Sequence, residues 1–189
     1  MAGAQSFVHL NSIMFIRLLM IVAFMTGPAQ AEEDAVLDVI DRFLIAYYEQ
    51  DPRAMAATVS QGAVLGAVIY DQDGGPTIQT PMPAAEWVQG IAKGASRVAE
   101  AYWDPVVHIR SGTLAQVWTP YVVEADAALV HCGIDAFTLM KIGGAWMITD
   151  LHSTMEPGSC RELGYKDALG RLRPRALVPH LSSAKNAAD

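Results

Sequence analysis

The chain has 189 residues, 52% of them hydrophobic and 17% charged, with a formal net charge of −7. That length suits a single domain plus a targeting segment rather than two domains. The acidic balance excludes a nucleic-acid binder, whose surface must neutralise phosphates.

The N-terminus carries Arg17, the apolar run Leu18 to Met25, Gly27-Pro28 and then Ala29-Gln30-Ala31. A positive flank, a short apolar run and a small-x-small end define a secretory signal peptide, with cleavage expected after Ala31. Even counted from Ile13, the apolar run is interrupted by Arg17 and falls short of the roughly 20 residues a spanning helix needs. No stable membrane anchor is therefore expected after cleavage, and the mature protein is expected in the periplasm or secreted. Both Met1 and Met14 are open as the start, the second giving a signal of more ordinary length. Removing residues 1–31 takes away one positive charge and no negative one, leaving −8. Residues 161–189 form a basic segment, expected to fold back on the acidic domain or to stay solvated, with a disordered end at SSAKNAAD.

Within the mature chain, Val36, Ile40, Phe43, Leu44 and Tyr47 recur at three- and four-residue steps, which predicts an amphipathic helix from about Glu33 to Gln50. Asp51-Pro52 ends it and starts a short second helix, Pro52 to Val59, because the residue before proline avoids the α region while proline suits a first turn. Ala63 to Tyr70 reads as a strand, DQDGGP as a loop, Thr77 to Thr80 as a brief strand and Ala84 to Ala92 as a third helix that buries Trp87, Val88 and Ile91. Arg97 to Arg110 reads as a strand bent at Asp104-Pro105, where proline removes a ladder donor. His108 on it reads as a half-exposed strand residue.

From Thr113 to Met155 come three runs rich in Val, Ile, Thr, Trp and Tyr, broken at Ala125 to Ala128 and at Gly143-Gly144. Such runs predict a three-stranded antiparallel meander, the paired glycines supplying positive φ in the second turn. A period of two places Leu129, His131, Gly133, Asp135 and Phe137 on one strand face, and Trp146, Ile148, Asp150 and His152 on one face of the next. The order of elements gives an α+β domain over residues 32–160, with three N-terminal helices packed on one face of a curved antiparallel sheet.

This order, with AQVWTPY from Ala115, HCGIDAF from His131 and GAWMI from Gly144, resembles the nuclear transport factor two-like (SnoaL-like) superfamily, close to the lumazine-binding type of exported bacterial members. The resemblance implies a cone-shaped sheet enclosing a small-molecule pocket. It also implies that an Asp/His pair can serve proton abstraction or dehydration, as in ketosteroid isomerases and scytalone dehydratase. An aromatic, aliphatic face with few polar groups fits a small, largely apolar or aromatic ligand, so Trp118, Tyr121, His131, Phe137 and Trp146 are the candidate ligand contacts. For catalysis the candidates are Asp135 or Asp150 as base, His131 or His152 as its partner, and Tyr121 as a donor to a developing oxyanion. By strand spacing alone neither Asp/His pair is in direct contact. A non-catalytic binding module is favoured over a cofactor-free lyase or isomerase, and a homodimer through the sheet is open.

No metal-ligand spacing and no phosphate loop is present, so neither a metal nor another cofactor is expected. Cys132 and Cys160 are an even pair in an exported chain and can bridge, while Cys132 read as a buried free thiol competes with that bridge. Mass spectrometry of the mature protein from its native host should find an N-terminus at Glu32. An intact Met1 or Met14 terminus would contradict export.

Overall fold

The computed structural model describes residues 27–71, 73–91, 93–126 and 128–181; the expected signal flank and apolar run, and the terminal SSAKNAAD, lie outside these. Helix α1 spans Pro28–Glu49 and α2 Pro52–Ala56. Strand β1 spans Val59–Tyr70, followed by the short strands β2 (Pro76–Ile78) and β3 (Met82–Pro83) and helix α3 (Ala84–Ile91). Strands β4 (Val98–Tyr102), β5 (Val106–Arg110), β6 (Leu114–Ala125), β7 (Ala128–Ile142) and β8 (Ala145–Met155) complete the sheet. Two short helices, α4 (Tyr165–Ala168) and α5 (Val178–Leu181), lie beyond it. No helix among the described residues is long and apolar enough to cross a membrane.

The sheet is curved and unclosed, in the order β2-β1-β8-β7-β6-β4, with β3 on β1 and β5 on β6. All pairings are antiparallel except that of β1 with β8, which runs parallel. The strand expected from Arg97 to Arg110 is two strands, both pairing with β6. Pro105 lacks an amide donor and Asp104 has φ of 45°, so the ladder breaks there. Helix α1 buries Val36, Ile40, Phe43 and Leu44 against the concave face, as its apolar stripe requires. Asp51 caps α2, its carboxylate accepting from the amides of Arg53 and Ala54 at 2.9 and 3.0 Å.

The segment after β8 is part of the domain rather than a tail beyond residue 160. Tyr165, Ala168, Leu172, Leu177 and Leu181 are all buried, and the segment folds back over the convex face. Trp103 anchors it, its indole N–H donating to the Leu163 carbonyl at 3.2 Å while its ring meets Tyr165. Further along, the backbone of Arg173 pairs with Tyr102 in both directions at 2.8 Å, covering the edge of β4. Its guanidinium reaches across to Asp41 on α1 at 2.8 Å, and Asp41 also accepts from the Tyr102 hydroxyl at 2.7 Å.

A disulfide joins Cys132 to Cys160, with Cα atoms 5.0 Å apart. Cys132 is fully buried on the face of β7 opposite His131, and the returning segment brings Cys160 to it from that side. The bridge closes a 28-residue separation, a constraint worth about 3.5 kcal/mol through the unfolded chain. Denatured, unreduced protein should therefore show no titratable thiol, and reduction should lower the melting temperature by several degrees. Two titratable thiols per chain would refute the bridge.

Candidate functional site

The site lies on the concave face, between α1, α3 and the strands β1, β4, β6, β7 and β8, around a cavity of about 140 Å³. One wall is aromatic. Trp87 on α3 stacks on Phe43 with ring centroids 5.8 Å apart and meets Tyr47 at 5.0 Å. Its floor is polar, presenting Glu100, Tyr121, His131 and Ser153.

Alternation along β7 turns His131, Gly133, Asp135 and Phe137 inward, as the period of two predicts. The same rule fails in β8, and the reason is one extra residue. Thr138 pairs with Asp150 while Leu139 pairs with Ile148, so Thr149 is a bulge, and its hydroxyl donates to the Thr138 carbonyl at 3.1 Å. A bulge shifts the parity of everything after it. Trp146 and Ile148 point inward before it; Leu151, Ser153 and Met155 point inward after it. Asp150 and His152 consequently lie on the convex face, where Nδ1 of His152 meets Oδ1 of Asp150 at 3.0 Å and His152 packs against Gly66. They form a direct pair, closer than their spacing suggested, but away from the cavity.

Three of the expected ligand contacts also sit elsewhere. Trp118 is 57% exposed on the convex face beside Val106, because inward alternation along β6 runs through Val117, Thr119 and Tyr121. Phe137 is core, 1% exposed. Trp146 lies at the far end of the concave face, its indole N–H donating to Glu32 at 3.1 Å with the Lys141 ammonium over its ring.

Tyr121, His131 and Asp135 do share the concave face. The Tyr121 hydroxyl donates to the Thr154 carbonyl at 2.8 Å and lies 3.0 Å from Nε2 of His131. Because the hydroxyl has one proton and the carbonyl can only accept, His131 is the donor in that contact. Its Nε2 therefore carries the hydrogen. Burial holds the His131 imidazole below its ordinary range, so the neutral form prevails. Burial likewise pushes the Tyr121 hydroxyl far up, with the charges of Asp135 and Glu100 adding to it.

Gly133 makes this geometry feasible. A Cβ there would fall within van der Waals contact of the Thr154 carbonyl, essentially on top of it. That carbonyl leaves the ladder and comes over β7 to meet Tyr121, and the Thr154 side chain replaces it in the ladder, its hydroxyl accepting from the Ile134 amide at 2.9 Å and donating to Glu156 at 2.5 Å.

Asp135 is 1% exposed, and its Oδ1 accepts from the Ser153 hydroxyl at 2.6 Å. Its second oxygen has no donor among neutral or cationic neighbours. What lies in hydrogen-bonding contact with Asp135 is the carboxyl of Glu100, half-buried where it lines the cavity. Two carboxylates in contact, one of them fully buried, resist ionising together, so the pair shares a proton, which also supplies the missing donor. Burial, and then the charge of Asp135, push Glu100 well above the carboxylate range. Burial likewise raises Asp135, to about 7, against lowering by Ser153 and Glu100. Sequence reading missed Glu100. Its one signal was position, an acid midway along an otherwise apolar strand (VAEAY), on the same face as Tyr102.

No protein-family model and no curated protein matches the chain. Solved structures do resemble it. The beta subunit of a proposed aromatic-ring-hydroxylating dioxygenase from Novosphingobium aromaticivorans is 12% identical, over 69% of this chain and 92% of that one, with a TM-score of 0.56. An NTF2-like protein from Cytophaga hutchinsonii is 13% identical over 65% and 97%, TM-score 0.54. A proposed scytalone dehydratase from Novosphingobium aromaticivorans is 12% identical over 66% and 84%, TM-score 0.51. The chain has the NTF2-like, cystatin-like fold, as the order of its elements suggested.

The carboxyl pair has a consequence for stability. Raised carboxyl groups stabilise the folded chain fully below their unfolded values near 4, and that contribution is lost as pH rises through about 7. Wild-type protein should lose thermal stability between pH 5 and pH 8 relative to E100Q, whose amide donates to Asp135 without a titrating proton. Parallel pH profiles for the two proteins would contradict a shared proton. Gly133→Ala should lower stability by several kcal/mol, since backbone must move to admit the methyl group; unchanged denaturant unfolding would contradict the close approach of Thr154.

Proposed function

We infer that this protein is an exported small-molecule-binding domain whose concave face holds a largely apolar or aromatic ligand. The observation that carries this reading is the cavity, with Phe43, Tyr47 and Trp87 in mutual ring contact along one wall and a few convergent polar groups on its floor. Its volume of about 140 Å³ matches one six-membered ring, since an apolar cavity of roughly 150 Å³ in another protein accepts benzene. The disulfide supports the oxidising compartment that export implies. Neutral single-ring probes such as benzyl alcohol should raise the melting temperature and change tryptophan emission, and W87F should abolish the emission change. The absence of any response to every ring-sized probe would overturn the reading.

A second reading has its own support in the buried carboxyl pair. A cofactor-free lyase or isomerase would use Asp135 as base, Glu100 to hold and return the proton, and the Tyr121–His131 pair to orient a carbonyl. Asp150 and His152 drop out of that scheme by their placement on the convex face. Exchange of a carbon-bound hydrogen next to the carbonyl of a small cyclic ketone in deuterated water should then exceed the buffer rate and fall by about two orders of magnitude in D135N. Exchange at the buffer rate would leave binding alone.

A further inference from the structure

Nothing cationic faces this cavity. Among the described residues that line it there is no lysine or arginine. The ionisable groups that line the cavity with Glu100 are Tyr47 from α1, Tyr121 from β6 and His131 from β7, with Glu156 beyond β8 acting on Tyr121. The tyrosines are held in their neutral form, and His131 is held below its ordinary range by burial. The basic side chains nearest the fold's ends are committed elsewhere, Lys141 to Glu32 and Arg173 to Asp41. Among the described residues that line the cavity, Glu100 is therefore the one carrying a formal charge, with Asp135 in contact behind it, and that charge is negative.

A group entering such a site meets two constraints. An anion would be brought beside a buried acid with no counter-charge, a juxtaposition that costs several kcal/mol in a low-dielectric interior. A cation would meet a carboxylate acceptor together with the faces of Trp87 and Tyr47, and aromatic faces attract cations. Glu100 and the aromatic residues Phe43, Tyr47 and Trp87 line the same cavity, which places the acid beside the aromatic wall.

We propose that the cavity selects a single-ring ligand bearing a protonated amine, with the ammonium group on Glu100, the cavity-facing member of the Glu100–Asp135 pair, and the ring against Trp87, Phe43 and Tyr47. This rests on the ligand-binding reading above. An ammonium group donates hydrogen bonds and carries the charge that the pair lacks, so its arrival displaces the shared proton to solvent. Binding of the cation is then linked to proton release, and affinity rises with pH while the pair still holds the proton.

The experiment compares three probes of one shape and different charge, benzylammonium, benzyl alcohol and benzoate, by titration calorimetry on the mature, disulfide-bonded protein. At pH 8 benzylammonium should bind about tenfold more tightly than benzyl alcohol, and benzoate should bind at least about tenfold more weakly than either. Lowering the pH to 5, where benzylammonium remains fully charged, should remove most of the preference. Repeating the titration in buffers of different ionisation enthalpy should reveal proton release with benzylammonium alone. The E100Q/D135N double variant, with its fold checked by circular dichroism, should bind benzylammonium no more tightly than benzyl alcohol, and a preference for the amine that survives in it overturns the proposal. Binding of benzyl alcohol and benzylammonium with equal affinity, or a preference for benzoate, overturns this proposal while leaving a ligand-binding cavity in place. Failure of all three probes to bind overturns both.

Discussion

One extra residue in β8, Thr149, decides which side chains meet on the concave face. Before it the inward positions carry Trp146 and Ile148, which continue the core; after it they carry Leu151, Ser153 and Met155, of which Ser153 holds Asp135 in place. Without the bulge, Asp150 and His152 would point inward and Ser153 would not. The bulge itself is satisfied locally, its hydroxyl bonded to the Thr138 carbonyl, so the shift costs little in lost hydrogen bonds.

The interior that follows is unusual in its charge. Two acids, the buried Asp135 and the half-buried Glu100, meet without a basic partner, and a shared proton reconciles this with the cost of burying charge. Around them three polar side chains have defined tasks. Ser153 donates to Asp135, Tyr121 donates to a backbone carbonyl, and His131 donates to Tyr121. Such a network loses rotational freedom as a unit, which is how a small number of hydrogen bonds keeps a cavity open in a core that would otherwise collapse around it. Gly133 contributes by having no side chain at the one position where the Thr154 carbonyl comes over the strand.

The outer face is stabilised differently. The segment after β8 is held at Trp103, at the disulfide, at the edge of β4 and at Asp41, four attachments of four chemical kinds. It buries Glu124 under Tyr165, with the two side-chain oxygens 3.3 Å apart, and leaves a stripe of the convex face open where Trp118, Val106, Leu114 and Met140 are exposed. Concave and convex faces are thus specialised, one for a small cavity with a polar floor and the other for packing of the chain's own C-terminal segment.

Local pattern by itself determined much of this protein. The apolar stripe of α1, the break at Asp51-Pro52, the glycine pair between β7 and β8 and the run of β-rich segments were all legible, because each depends on residues within a few positions of one another. The same holds for the shared face of His131, Gly133 and Asp135, which only requires that β7 alternate undisturbed there. Tertiary structure decided the rest. Whether Asp150 points in or out depends on a bulge whose partner lies eleven residues back on β7. Whether Trp118 lines a pocket depends on which face of β6 the helices cover. Whether Glu100 matters depends on its meeting Asp135 from two strands away, since β6 lies between β4 and β7. Parity, coverage and contact between distant strands are properties of the assembled sheet, and no window of sequence contains them.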